Sequence, residues 1–92
     1  MPWRVTVHRK AARSLTRLPR AVQESLITLL REIEQHGPVR GNWPNYSRLG
    51  TERHHCHLKK GRPTYVVIWR VNVPSTRWVE VVYVGTHEKA PY

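Results

Sequence analysis

The sequence predicts an α+β domain: an antiparallel sheet of about four strands, with an N-terminal strand and a two-helix hairpin packed on one face. Three observations predict it. Apolar residues recur at helical spacing between His8 and Gln35. The stretch from Arg53 to Arg70, RHHCHLKKGRPTYVVIWR, reads as two strands joined by a basic turn. A final apolar run from Trp78 to Val84 follows a second turn. The order is β, α, α, then three or four strands, in a single domain over residues 1–92. A chain of 92 residues supplies one modest core and not two.

Trp3 to Val7 is a short strand with Trp3, Val5 and Val7 on one face and Arg4 and Thr6 on the other. From His8 the period changes, and Ala11, Ala12, Leu15 and Leu18 mark a helix whose remaining surface is basic. Pro19 ends that helix or opens the next. The second helix spans about Arg20 to Gln35, with Val22, Leu26, Leu29, Leu30 and Ile33 as its stripe and Gly37-Pro38 as its stop. Gly37 to Asn45 is loop, pinned by Trp43 against the core, and Tyr46 to Leu49 is a short strand. In the strand that follows, His55, His57 and Lys59 face one side, and Cys56 and Leu58 the other. Thr64 to Val71 is apolar on both faces, as an inner strand covered from both sides is. Asn72 to Arg77 is a turn, and Gly85 carries the chain from the last strand toward His87.

Composition narrows the function. Sixteen Lys and Arg stand against 6 acidic residues, all Glu, for a formal charge of +10. Self-repulsion of that size calls for a polyanionic partner, nucleic acid first and an acidic protein second. A single Cys excludes an internal disulfide and suits a reducing cytoplasm. No apolar run reaches the ~18 residues of a membrane span, and MPWRVTVHRK lacks a signal-peptide core, so a soluble cytoplasmic protein is expected. With no Asp and no Ser-His-carboxylate spacing, hydrolase triads and two-metal nucleases lack their parts.

One chemistry does fit. RNA cleaved through its own 2′-hydroxyl needs a base, an acid and cations for the developing charge, with neither metal nor cofactor. His55, His57 and His87 are the acid–base candidates, because imidazole titrates near working pH. Tyr92 is able to stack a base or give a proton. Arg53, Lys59, Lys60, Arg62 and Lys89 are the candidate phosphate ligands. The ordinary alternative for His55 and His57 is an exposed polar strand face, and for Lys59 to Arg62 a solvated turn. His54 and Cys56 belong to the buried side, so a zinc site from His54, His55, Cys56 and His57 would need neighbours that point apart.

Taken together, AARSLTRLPRAVQESL, WPNYSRL, HCHLKKGRPTYVVIW and EVVYVGTHEKAPY resemble the RelE/ParE superfamily of bacterial toxins over nearly the whole length. The resemblance implies a RelE-like single domain. It also implies the function of the RelE and HigB kind: ribosome-associated, metal-independent cleavage of mRNA that inhibits translation. By that resemblance His55 and His57 stand where basic residues line the strand before the turn. His87 stands where the family has Arg or His after the last strand, and Tyr92 where it has its C-terminal Tyr. The family often has an Arg early in the strand after the turn; this chain has Thr64 there and Arg62 two residues earlier. The implied partners are mRNA, ribosomal RNA and an acidic antitoxin protein. A gyrase poison of the ParE kind and a non-catalytic RNA-binding protein are the alternatives on the same fold.

Overall fold

The computed structural model describes residues 2–73 and 76–92, with backbone alone at Val73. Strand β1 (Arg4–Val7) leads into helix α1 (Arg9–Leu15) and helix α2 (Arg20–His36). Strands β2 (Ser47–Leu49), β3 (Arg53–Lys59), β4 (Tyr65–Val73) and β5 (Trp78–Thr86) follow, and a 3₁₀ turn (His87–Lys89) closes the chain. The sheet order is β1-β5-β4-β3-β2. β2 to β5 are antiparallel neighbours, the four expected strands. The N-terminal strand adds a fifth, parallel to β5, with Val5 opposite Val79.

Local chemistry accounts for the boundaries. The His8 ring caps α1 by accepting the Lys10 N–H at 3.1 Å, and Pro19 occupies the N-cap of α2. The first helix is shorter than its apolar pattern: Ala12 is exposed, and Leu18 is buried from beyond the helix end. Gln23 Nε2 donates to Leu15 O at 2.6 Å and Leu18 O at 3.2 Å, tying α2 to the turn that precedes it. At the other end Gly37 holds φ 95°, where a Cβ would meet Trp3 Nε1 at 3.1 Å. The turn expected over Asn72–Arg77 starts later, since β4 runs on to Val73; Pro74 and Ser75 lie outside the described residues.

Val22, Leu26, Leu29 and Ile33 of α2 meet Cys56 and Leu58 of β3, Val67, Trp69 and Val71 of β4, and Val79, Val81 and Val84 of β5 in one core. Strand β4 lies inside the sheet between β5 and β3, and Val66 and Ile68, on its face away from the helices, are fully buried as well. Trp43 packs on the helix side, and its Nε1 donates to Glu32 Oε1 at 3.0 Å. Asn42 and Arg40 donate to the same oxygen, fixing the loop before β2 onto α2. Among the described residues, no helix is long and apolar enough to cross a membrane.

Candidate active site

The period-2 alternation of β3 divides its histidines between two environments. His54 is 3% exposed and Cys56 is fully buried on the helix side. The His54 ring lies 5.7 Å from that of Trp69 and 5.9 Å from that of Tyr46, whose hydroxyl hydrogen-bonds His54 Nδ1 at 2.7 Å. Burial, and then the nearby charge of Arg48, lower the His54 pKa to about 4, and burial raises the Cys56 thiol to about 12. Both are inert at neutral pH. The four neighbours weighed as zinc ligands therefore do not converge, and among the described residues no group of three His, Cys or Glu is arranged for a metal ion.

His55 and His57 emerge on the other face, over a floor of Val66 and Ile68, their cross-strand partners. The chain leaving β5 returns across that face and brings His87 and Tyr92 to them. The four rings form a closed circuit: His55–His57 6.0 Å, His57–His87 5.6 Å, His87–Tyr92 5.3 Å and Tyr92–His55 5.3 Å between centroids. The apolar floor acts on their titration. Burial lowers the pKa of His55 and of His57, opposed at His55 by its hydrogen bond to Ser47 and helped at His57 by the charges of His55, His87 and Lys60, which favours the neutral, proton-accepting ring. Burial raises the pKa of Tyr92, which keeps its phenol protonated.

Gly85 opens this return path, though it remains inside the sheet opposite Val66. The space left by its missing side chain holds the Tyr83 ring, whose hydroxyl would lie 2.6 Å from a Cβ and donates to Thr86 O at 2.8 Å. His87 N–H then donates to Thr64 O at 2.9 Å, fastening the 3₁₀ turn to the entry of β4.

The candidate cations are distributed unevenly. Arg62 lines an open cleft of about 510 Å³ together with His57, Thr64, Thr86, His87 and Glu88. Lys60 is close enough for its charge to depress His57. Arg53 is directed at the tail, where its Nη1 donates to Pro91 O at 3.4 Å. Lys59 and Lys89 are exposed, and neither forms an ion pair among the described residues.

Two contacts were not legible in the sequence. Ser47 of β2 stands opposite His55, and its Oγ lies 2.9 Å from His55 Nδ1. The Ser47 carbonyl is 3.4 Å from the same nitrogen and can only accept, so the ring that makes both contacts carries its proton on Nδ1 and keeps Nε2 as the base. The second is Pro44, whose carbonyl accepts the His57 N–H at 2.8 Å and joins the loop to β3. Strand pairing and loop placement alone create these contacts, and neither leaves a local sequence pattern.

A small α+β domain with two helices on one face of a sheet ordered β1-β5-β4-β3-β2 belongs to a recognisable structural class, and solved structures identify it. The chain has the RelE fold. It is similar to the archaeal RelE in the RelE–RelB complex from Pyrococcus horikoshii OT3, at 18% identity and a TM-score of 0.70, over 98% of this chain and 100% of that one. Against a mutant of E. coli toxin RelE in the free state the identity is 20% and the TM-score 0.75, over 98% and 88%. The toxin–antitoxin complex RelBE2 of Mycobacterium tuberculosis matches at 18% identity and a TM-score of 0.58, over 95% and 100%. No protein-family model and no curated protein matches the sequence.

Proposed function

We propose that this chain is the toxin of a toxin–antitoxin pair, and that it inhibits translation by cutting mRNA on the ribosome in the cytoplasm without a metal. The observation that carries the proposal is the closed circuit of His55, His57, His87 and Tyr92 beside a cleft lined by Arg62. His55 Nε2 takes the proton of the 2′-hydroxyl, and the oxygen bonds to phosphorus. The bond from phosphorus to the 5′-oxygen breaks, and His87 gives that oxygen its proton. The products are a 2′,3′-cyclic phosphate and a 5′-hydroxyl. His57, with Lys60, Arg62, Lys59 and Lys89, lowers the energy of the phosphorane charge. Arg53 contributes through the tail carbonyl it holds, and Tyr92 stacks on the base next to the scissile bond.

The partner is an acidic, partly disordered antitoxin that folds on the basic surface. The charge of +10 supports it, as do solved neighbours that are RelE–RelB complexes. The test is expression of the chain alone, with growth and primer-extension cuts on cellular mRNA as readouts. His87→Ala, still folded, is expected to lower cleavage by roughly 10²–10⁴-fold. Growth arrest without new mRNA ends, with DNA gyrase trapped on DNA, would replace this reading by the gyrase-poison one.

A further inference from the structure

The peptide that joins Thr86 to His87 is the joint at which β5 ends and the 3₁₀ turn begins, with Thr86 still extended. Rotation about the bonds flanking that peptide swings the His87 imidazole, so whatever holds the peptide plane aims the ring. Its N–H donates to Thr64 O, at the entry of β4, at 2.9 Å. In a trans peptide the carbonyl points the opposite way, here away from β4 and toward the side of β5 on which β1 lies. The pairing of β1 with β5 covers Trp78 to Val81 and stops short of Thr86, so it offers that carbonyl no partner. Tyr83 supplies one. Its hydroxyl donates to Thr86 O at 2.8 Å.

The sheet places the tyrosine for this contact. Tyr83 stands opposite Ile68 and Gly85 opposite Val66, and across β3 the same two residues are partnered by His55 and His57. Tyr83 therefore shares a row with His55 on the face that carries the imidazoles. Its ring lies over Gly85, where a Cβ would meet the hydroxyl oxygen at 2.6 Å and Cζ at 2.9 Å, so the glycine is what admits it. Burial raises the Tyr83 pKa, which keeps the phenol protonated and able to donate. The ring held at the far end of the joint is His87, 5.6 Å from that of His57 between centroids. Resting on the RNA-cleavage reading above, we infer that Tyr83 is a positioning residue: its hydroxyl and the Thr64 carbonyl hold the two poles of the Thr86–His87 peptide and so fix the His87 imidazole beside His57.

Tyr83→Phe in the purified full chain tests this, because it removes the hydroxyl and keeps the ring that fills the space over Gly85. Two readouts are compared with the native chain, and the first needs no RNA. By NMR, amide exchange at His87 is expected to quicken by roughly 2- to 10-fold. The cross-relaxation signal between the His57 and His87 rings weakens, while that between His55 and His57 and the exchange of the Val67 and Trp69 amides stay native. A general loss of stability would move the core amides too. In single-turnover cleavage of RNA the maximal rate is expected to fall roughly 10- to 100-fold. The RNA concentration giving half that rate stays the same, since the hydroxyl holds backbone and not RNA. Unchanged exchange and ring proximity at His87 overturn the inference, whatever the rate does. A displaced His87 ring with cleavage at the native rate overturns it as well. The NMR changes in Tyr83→Phe, together with a native chain that cuts no RNA, keep the anchoring of His87 and remove the nuclease reading.

Discussion

Ser47 and His54 show how single contacts set the chemistry of this face. Ser47 touches His55 Nδ1 at 2.9 Å and so orients the proposed base. Ser47→Ala removes one exposed hydrogen bond, worth about 0.5–1.5 kcal/mol. Cleavage is expected to fall by roughly 2- to 10-fold, with the acidic limb of the pH–rate profile displaced and RNA affinity unchanged; an unmoved limb would show Ser47 to be only a strand residue. His54 controls stability instead. Its folded pKa of about 4 lies below the ordinary 6.5, so the unfolded chain takes up protons first as the pH falls. Its contribution is therefore complete above pH 6.5 and is lost between 6.5 and about 4. The loss amounts to about 2 kcal/mol by pH 5. His55 and His57, also depressed, act in the same direction. Urea unfolding at pH 7 and pH 5 is expected to show this fall in the native chain and a smaller one in His54→Leu.

At the scale of elements, the loop before β2 and the strand β5 hold the site from opposite sides. Glu32 accepts from Arg40, Asn42 and Trp43, and those hydrogen bonds, Asn42 first, lower its pKa. The same loop supplies Pro44 O to His57 N–H. Glu32→Ala leaves three donors without their acceptor and is expected to cost about 1–3 kcal/mol in chemical unfolding. Faster hydrogen exchange at the His57 amide would locate the damage, and an unchanged amide there would separate the loop from the site. In β5, Gly85 leaves room for Tyr83, 2.6 Å from where a Cβ would stand. Gly85→Ala is expected to destabilise by about 1–3 kcal/mol. Adding Tyr83→Ala should return part of that loss; a double variant no better than the sum of the singles would assign the cost to the backbone.

For the whole molecule the dominant quantity is charge. A net +10 spread over 92 residues guides any polyanion to the surface, but only cations beside the site convert attraction into position. Arg62 lines the cleft and Lys60 acts on His57, whereas Arg31 is exposed on α2, away from this face. Replacing Lys60 or Arg62 by Ala is expected to flatten log affinity against log salt by up to about 0.7–0.9 per phosphate contact. Arg31→Ala should leave the slope nearly unchanged, and equal flattening at all three positions would mean diffuse attraction.

By itself the sequence determined what depends on neighbours along the chain. The 3.6-residue stripe of α2, Gly37 as its stop and the alternation that separates His54 and Cys56 from His55 and His57 are all local, because side-chain direction follows the backbone period. The same alternation marked the imidazole row, and the charge of +10 raised the expectation of a polyanionic partner. The tertiary structure alone decided which strands meet. Nothing local to Val5 or Val79 shows that β1 runs parallel to β5, and nothing in Ser47 shows that it lies opposite His55. His87 and Tyr92 were candidates from the chemistry of their side chains and from the family resemblance, yet their distances to His57 and His55 follow from where β5 delivers them. The cleft arises in the same way, since Arg62 and Glu88 are 26 positions apart by number and come to line one cleft only when β4 and β5 pair. Pairing between distant segments is selected by the burial of the whole core, a free energy that no short stretch of sequence contains.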